Sequence, residues 1–109
     1  MERPDLSISV QRGTAEALVT LTGEIDMSTV GRLSAVVSDL LNPAPPRVVL
    51  DLAGVTFCDS QGLGTLVVLS RKATVAQSVL VLINVGDFLL RVLDITGLRD
   101  ALMIQEPSL

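Results

Sequence analysis

The sequence has 109 residues, which is enough for one compact domain and too few for two. Its formal net charge is −4 at pH 7, and its 8 lysines and arginines are scattered, which argues against a cationic surface for nucleic acid or anionic lipid. Hydrophobic residues make up 49% of the chain but aromatic residues only 2%, which indicates a core of valine and leucine. With no histidine and a single cysteine, Cys58, an internal disulfide and a cysteine-based metal cluster are both excluded.

The first five residues are polar and contain no apolar signal core. The longest run of large aliphatic residues, 79–83, is far too short to span a membrane. The lone cysteine suits a reducing compartment. The sequence therefore predicts a cytoplasmic protein without a membrane partner. It forms one domain over residues 1–109, with short tails at 1–5 and 106–109.

The first elements in chain order are two strands. Residues 6–10 and 17–23 alternate between apolar and polar side chains, and the turn residues between them predict an antiparallel hairpin. Asp26 or Ser28 is expected to cap a first helix. Prolines at 43, 45 and 46 end that helix. Its apolar stripe consists of Val30, Leu33, Val37, Leu40 and Leu41.

The second half of the chain alternates strands and helices. Residues 47–52 and 79–85 read as strands that are buried on both faces, and 102–104 as a last short strand. Helices are predicted from 60 to about 74 and from 88 to 95, the latter opened by Gly86 and Asp87 and stopped by Gly97. The order β-β-α-β-α-β-α-β predicts an α/β domain with helices packed on a mixed sheet.

The junction between the central strand and the second helix carries the most information. Ser60 lies where that helix begins, so its hydroxyl is exposed beside free backbone N–H groups that favour negative charge. A serine in this place is often only a helix cap. Gly62 and Gly64 are poor helix formers within the first turns, which suggests close approach by another backbone. Apolar residues at 63 and 66–69 cover more than one helix face, so the surplus packs under a neighbouring helix or faces a partner.

Enzymatic chemistry finds little support in the sequence. Residues 58–62 approach a hydrolase nucleophile elbow, but there is no histidine base and the only lysine, Lys72, lies well along the same helix. The glycines at 62–64 are not followed by the lysine of a phosphate-binding loop. Asp26 and Asp59 read as a cap and a turn residue, and no carboxylate spacing suggests a metal site. Cys58 reads as a small buried hydrophobe, because Asp59 opposes its thiolate.

Taken together, these segments resemble the STAS domain family, and within it the bacterial anti-sigma factor antagonists. The central match is an aspartate–serine pair followed by glycine–leucine–glycine at the start of the second helix, here residues 59–64. Residues 48–52 and 55–57 before it, 21–26 with Thr29 and Leu33, and 92–98 also fit the family pattern. The similarity covers essentially the whole chain in register.

The resemblance implies a partner switch without a catalytic or cofactor site in this chain. The unmodified antagonist binds a serine kinase that is also an anti-sigma factor and carries the ATP, and this frees the sigma factor. Phosphorylation of the serine at position 60 releases the complex, and a serine phosphatase resets it. The residues that the resemblance implicates in partner binding are Asp26, Thr29, Asp59, Ser60, Gln61, Gly62, Leu63 and Gly64.

Two departures from the family pattern stand out. The fourth helix that usually follows the last strand looks short or absent, which would leave part of the domain uncovered and would allow a homodimer. Gln61 occupies a place where a small residue is common, so kinase choice could differ. The alternative function is a STAS scaffold or transport-accessory module that docks through the same helix face without phosphorylation.

Overall fold

The structure is a computed structural model that describes residues 5–105. A five-stranded sheet and three α-helices follow one another in the order predicted from the sequence. A short 3-10 helix at Arg99–Ala101 was not predicted. The other elements are β1 (Leu6–Arg12), β2 (Glu16–Ile25), α1 (Val30–Leu40), β3 (Arg47–Cys58), α2 (Ser60–Val75), β4 (Val79–Ile83), α3 (Asp87–Thr96) and β5 (Met103–Gln105).

The sheet has the strand order β1-β2-β3-β4-β5. The predicted hairpin of β1 and β2 is antiparallel, and each later pair is parallel, so the prediction of a mixed sheet is confirmed. Every crossover moves one strand in the same direction, and right-handed connections therefore place all three helices on one face. Side chains from all three helices, including Leu33, Leu66 and Leu93, share one core with Leu50 and Leu82 of the sheet.

The central strand β3 is longer than predicted. It continues past Leu52 to Cys58 because it keeps pairing with β2, through two register shifts, as far as Ile25. Strand β4, which was predicted to reach residue 85, ends at Ile83 opposite Asp51. Among the elements of residues 5–105, residues 52–58 of β3 therefore have a strand neighbour on one side only.

The start of α2 and the end of α3 agree with the prediction, whereas the predicted cap of α1 does not. Helix α2 begins at Ser60, and Gly97 ends α3 in the left-handed conformation at φ 74°, both as expected. The expectation that Asp26 or Ser28 caps α1 is wrong, because the residue before the helix is Thr29. The Asp26 carboxylate is occupied within the preceding turn, where it accepts the backbone N–H and the hydroxyl of Ser28.

The ends of the described chain bear on the predicted tails. Asp5 belongs to the predicted N-terminal tail, but its backbone carbonyl accepts the N–H of Glu24 at 3.2 Å and its carboxylate pairs with Arg32. The prediction that the fourth helix is short or absent concerns residues 106–109, which lie outside the described residues, as do 1–4. Within residues 5–105, no helix combines the length and the apolar character needed to cross a membrane.

Candidate functional site

Ser60 is the first residue of α2 and is exposed. It is presented by Asp59, whose backbone is extended and whose Oδ1 accepts the backbone N–H of Gly62 at 2.8 Å. The side chain of Asp59 therefore caps the helix. The interpretations of Ser60 as the cap and of Asp59 as a turn residue are thereby corrected, because Ser60 is already the first helical residue. This cap turns the chain sharply, so that the Ser60 hydroxyl lies at the helix N-terminus.

Asp59 also joins the end of β3 to the segments around it. Its second carboxylate oxygen, Oδ2, accepts the backbone N–H of Met27 at 3.2 Å, and its own N–H donates to the carbonyl of Ile25 at 3.1 Å. The loop between β2 and α1 is thereby fixed against the start of α2. Met27, whose backbone N–H is bound by the residue before Ser60, is itself 72% exposed.

The loop between β2 and α1 is held from inside by Thr29, which is 1% exposed. Its Oγ1 accepts the backbone N–H of Asp26 at 2.9 Å and donates to the carbonyl of Glu24 at 2.9 Å. The hydrogen bond from the Ser28 hydroxyl holds the pKa of Asp26 below its usual value. Asp26 therefore stays ionised at neutral pH, at the rim of the site.

Of the two glycines in the first turns of α2, only Gly62 is required by its surroundings. A Cβ at this position would lie 2.6 Å from the carbonyl oxygen of Ile25 and 2.7 Å from Sγ of Cys58. A Cβ on Gly64 would have no neighbour within 4 Å. Close backbone approach was predicted for both glycines, and it occurs only at Gly62, where the approaching carbonyl belongs to this chain.

Cys58 is predicted to be unreactive in the folded domain. Burial, reinforced by the charge of Asp59, raises the pKa of its thiol to about 12. At pH 8 the folded protein should resist iodoacetamide, whereas the urea-unfolded protein should be alkylated. In the unfolded chain the thiol has a pKa near 9.0, so above that pH the unfolded state loses a proton that the folded state keeps. The free energy of unfolding is therefore unchanged below that pH and falls above it, by at most about 1.4 kcal/mol per pH unit. Comparable alkylation in both states, measured by mass spectrometry, would contradict this.

The surface beside Ser60 is an open depression of about 400 Å³ between α1 and α2. Most of the surplus apolar residues of α2 are buried in the core, as one of the two predicted alternatives requires, but Val68 is 49% exposed here. The residues around the depression are Ser34, Ser60, Gln61, Gly64, Thr65 and Val68. Of these, Ser34 and Thr65 were missed from sequence, whereas Val68 was named only among the surplus apolar residues of the helix that could face a partner. The spacing of positions 60, 64 and 68 along one helix face was the available signal.

The eight residues implicated from sequence lie close together but differ in accessibility. Ser60, Gln61 and Gly64 are exposed, and Asp26 and Asp59 are partly buried. The remaining three are buried: Thr29, Gly62 and Leu63. The buried residues shape the site without offering side-chain surface.

Comparison with known proteins identifies the family of this chain. A family model described as "Mlab, STAS domain" matches residues 8–105. The chain belongs to the STAS domain family. Among curated proteins, this STAS domain is 32% identical over 88 residues to an anti-sigma-B factor antagonist of Staphylococcus epidermidis, covering 81% of this chain and 82% of that protein.

Solved structures share the fold of this STAS domain. The crystal structure of an anti-sigma factor antagonist from Mycobacterium paratuberculosis has a TM-score of 0.81 at 27% identity, covering 96% of this chain and 88% of that one. The Bacillus cell fate determinant SpoIIAA, in its phosphorylated form, has a TM-score of 0.73 at 18% identity, covering 94% of this chain and 92% of that one. The second likeness concerns the fold alone.

Proposed function

We propose that this STAS domain is an anti-sigma factor antagonist that binds an anti-sigma serine kinase when Ser60 is unmodified and thereby frees a sigma factor. One observation carries the proposal: an exposed serine begins α2 in a chain that is 32% identical to an anti-sigma-B factor antagonist. Phosphorylation of Ser60 then ends the complex, and a serine phosphatase restores the binding form. Both reactions would take place in the cytoplasm, with the ATP carried by the kinase.

Electrostatics can account for the release without a change of fold. A phosphoryl group adds about −1.5 to −2 charges at pH 7, directly beside Asp59. Within the domain, the N-terminus of α2 offsets part of this charge. At an interface the same charge must lose water and meets the phosphates that the kinase itself holds. Like-charge contact of this kind costs several kcal/mol.

The site residues have two proposed roles, direct contact with the kinase and support of the site, according to whether they are exposed or buried. Ser60, Gln61 and Gly64 are exposed and would touch the kinase directly, together with the exposed side chains of Met27 and Val68. Asp26 and Asp59 would add negative charge at the rim. The buried Thr29, Gly62 and Leu63 hold the loop and the helix start in place and would contribute only through that geometry.

The test is a phosphorylation assay with a purified anti-sigma kinase from the same organism. We expect ATP to add one phosphoryl group at Ser60 and to dissociate the complex. The Ser60→Ala variant should bind the kinase as tightly as the parent and should stay bound when ATP is added. Intact mass and size-exclusion chromatography measure the two effects.

A matched control is Thr65→Ala, which removes another hydroxyl from the same depression and should leave both phosphorylation and release intact. The proposal fails if Ser60→Ala dissociates with ATP as readily as the parent.

The alternative is a STAS module that docks constitutively. It is compatible with the family model, which matches a STAS domain over residues 8–105. Such a module would use the same face of α2, and its complex would be insensitive to ATP. A kinase-bound domain that never gains a phosphoryl group would support this alternative.

A further inference from the structure

Both aromatic residues of the chain lie on one small surface away from the depression beside Ser60. Phe57 is 44% exposed and Phe88 is 65% exposed, although large aromatic side chains are usually buried. They flank a cavity of about 70 Å³, which can hold one aliphatic side chain. The cavity is lined by Leu52, Val55, Thr56, Phe57, Cys58, Gly86, Phe88 and Leu89.

The cavity lies along a free strand edge. Strand β4 stops at Ile83 opposite Asp51, so β3 continues through residues 52–58 with β2 on one side and, within the part of the chain that the structure describes, no strand on the other. Apart from the ladder with β2, no hydrogen bond joins the backbone of residues 53–57 to another backbone group in the described part of the chain. The backbone N–H of Ala53 donates to Oδ1 of Asp51 at 3.0 Å. Beyond Ala53, N–H and C=O groups without a backbone partner are a template for another strand.

Proteins usually protect such an edge with lysine, proline or inward-pointing charges. Residues 52–57 contain neither a charged residue nor a proline. The start of α3 lies across from this edge but leaves the cavity between them open, with Phe88 at its rim. The two register shifts against β2 interrupt the ladder here, but the edge carries no charge and no proline. Such an edge beside an aromatic-lined cavity is suited to strand addition, in which the backbone gives affinity and a pocket gives specificity.

Charge complementarity indicates which peptide would fit. Three acidic residues, Asp51, Asp59 and Asp87, adjoin the lining segments in sequence. No lysine or arginine is among the lining residues. A basic peptide would therefore be attracted to this edge and an acidic one repelled.

We propose that residues 53–58 of β3, with the cavity between Phe57 and Phe88, bind an extended basic peptide that inserts one aliphatic side chain. The peptide adds a strand to the edge of β3 on the side that β4 leaves open. This site does not require modification of Ser60. It gives the domain a second docking surface, on the other side of the Cys58–Ser60 corner.

The probe is a fluorescein-labelled ten-residue peptide of alternating lysine and valine, titrated with the full chain and followed by anisotropy. The charge-matched control peptide alternates lysine and serine, and a second control carries N-methyl groups on alternate backbone nitrogens. We expect saturable binding of the lysine–valine peptide, with amide shifts in NMR spectra confined to residues 53–58 and 86–89. Both control peptides should bind at least about tenfold more weakly.

The protein variants are Phe88→Ala and Ile95→Ala. Both remove an exposed apolar side chain from α3, but Ile95, 78% exposed, lies outside the cavity. Phe88→Ala should weaken the peptide at least about tenfold and Ile95→Ala should not. Ser60→Ala should bind the peptide as tightly as the parent. The outcome of the peptide experiment therefore does not depend on whether the kinase assay supports the proposed function.

Three results would overturn the proposal: equal binding of the lysine–serine peptide, equal binding by Phe88→Ala, or amide shifts that map elsewhere. A dimer in sedimentation experiments that Phe88→Ala dissociates, without peptide binding to the parent, would also overturn it, because a second copy would then occupy the edge.

Discussion

Replacing Gly62 with alanine is expected to destabilise the domain by about 1–3 kcal/mol, although alanine is the better helix former. The new methyl group would lie 2.6 Å from the Ile25 carbonyl oxygen and 2.7 Å from Sγ of Cys58. Neither atom is the flexible end of a long side chain, since one is backbone and the other belongs to a buried residue at the end of β3. The first turn of α2 would have to move away from the sheet. Urea unfolding followed by circular dichroism measures the loss.

The matched control is Gly64→Ala in the same helix. Since a Cβ there has no neighbour within 4 Å, this variant should gain up to about 1 kcal/mol from helix propensity alone. If the two variants unfold at the same urea concentration, the close approach at Gly62 is not what selects glycine. A further consequence of displacing α2 is a weaker hydrogen bond between Asp59 and Met27, which should also lower the affinity for the kinase.

Placing a permanent negative charge at position 60 is expected to weaken kinase binding about a hundredfold. The Ser60→Asp variant brings a carboxylate to the interface beside Asp59, where it must be desolvated. Within the free domain the same charge is favourable, because it lies at the N-terminus of α2. We therefore expect weaker binding, measured by isothermal titration calorimetry, together with unchanged or slightly higher resistance to urea.

Ser60→Asn is the control for side-chain size, because asparagine has nearly the shape of aspartate without its charge. It should retain most of the affinity. An equal loss for both variants would mean that bulk rather than charge disrupts the interface, and the electrostatic account of release would be wrong.

The strands and helix starts of this fold could be predicted because local patterns agree with tertiary structure. Period-two alternation marks β1 and β2, and the glycine at position 97 marks the end of α3. The extension of β3 could not be read in this way. Ala53 and Gly54 interrupt the apolar run, and the strand persists only because β2 provides a partner across a register shift.

The position of Ser60 was predictable, but its surroundings were not. A short polar residue after an apolar strand predicts a helix start near position 60. The capping role that the sequence suggested for Ser60 belongs instead to Asp59, which the sequence suggested as a turn residue. The burial of Thr29 and the exposure of Met27 depend on how the loop between β2 and α1 folds against α2, which no local pattern specifies. The same holds for Gly62. Glycine is required there because the carbonyl of Ile25, 37 residues earlier in the chain, leaves no room for a Cβ atom.

The hairpin turn at residues 13–15 lies at the opposite end of the sheet from Ser60. Ala17 of β2 is paired with Val48 near the start of β3, whereas the serine follows the end of that strand, roughly 35 Å away at about 3.3 Å per residue. A fluorophore or affinity tag inserted in this turn would therefore be remote from both docking surfaces. Complex formation and release could then be followed on a labelled chain whose binding faces carry no alteration.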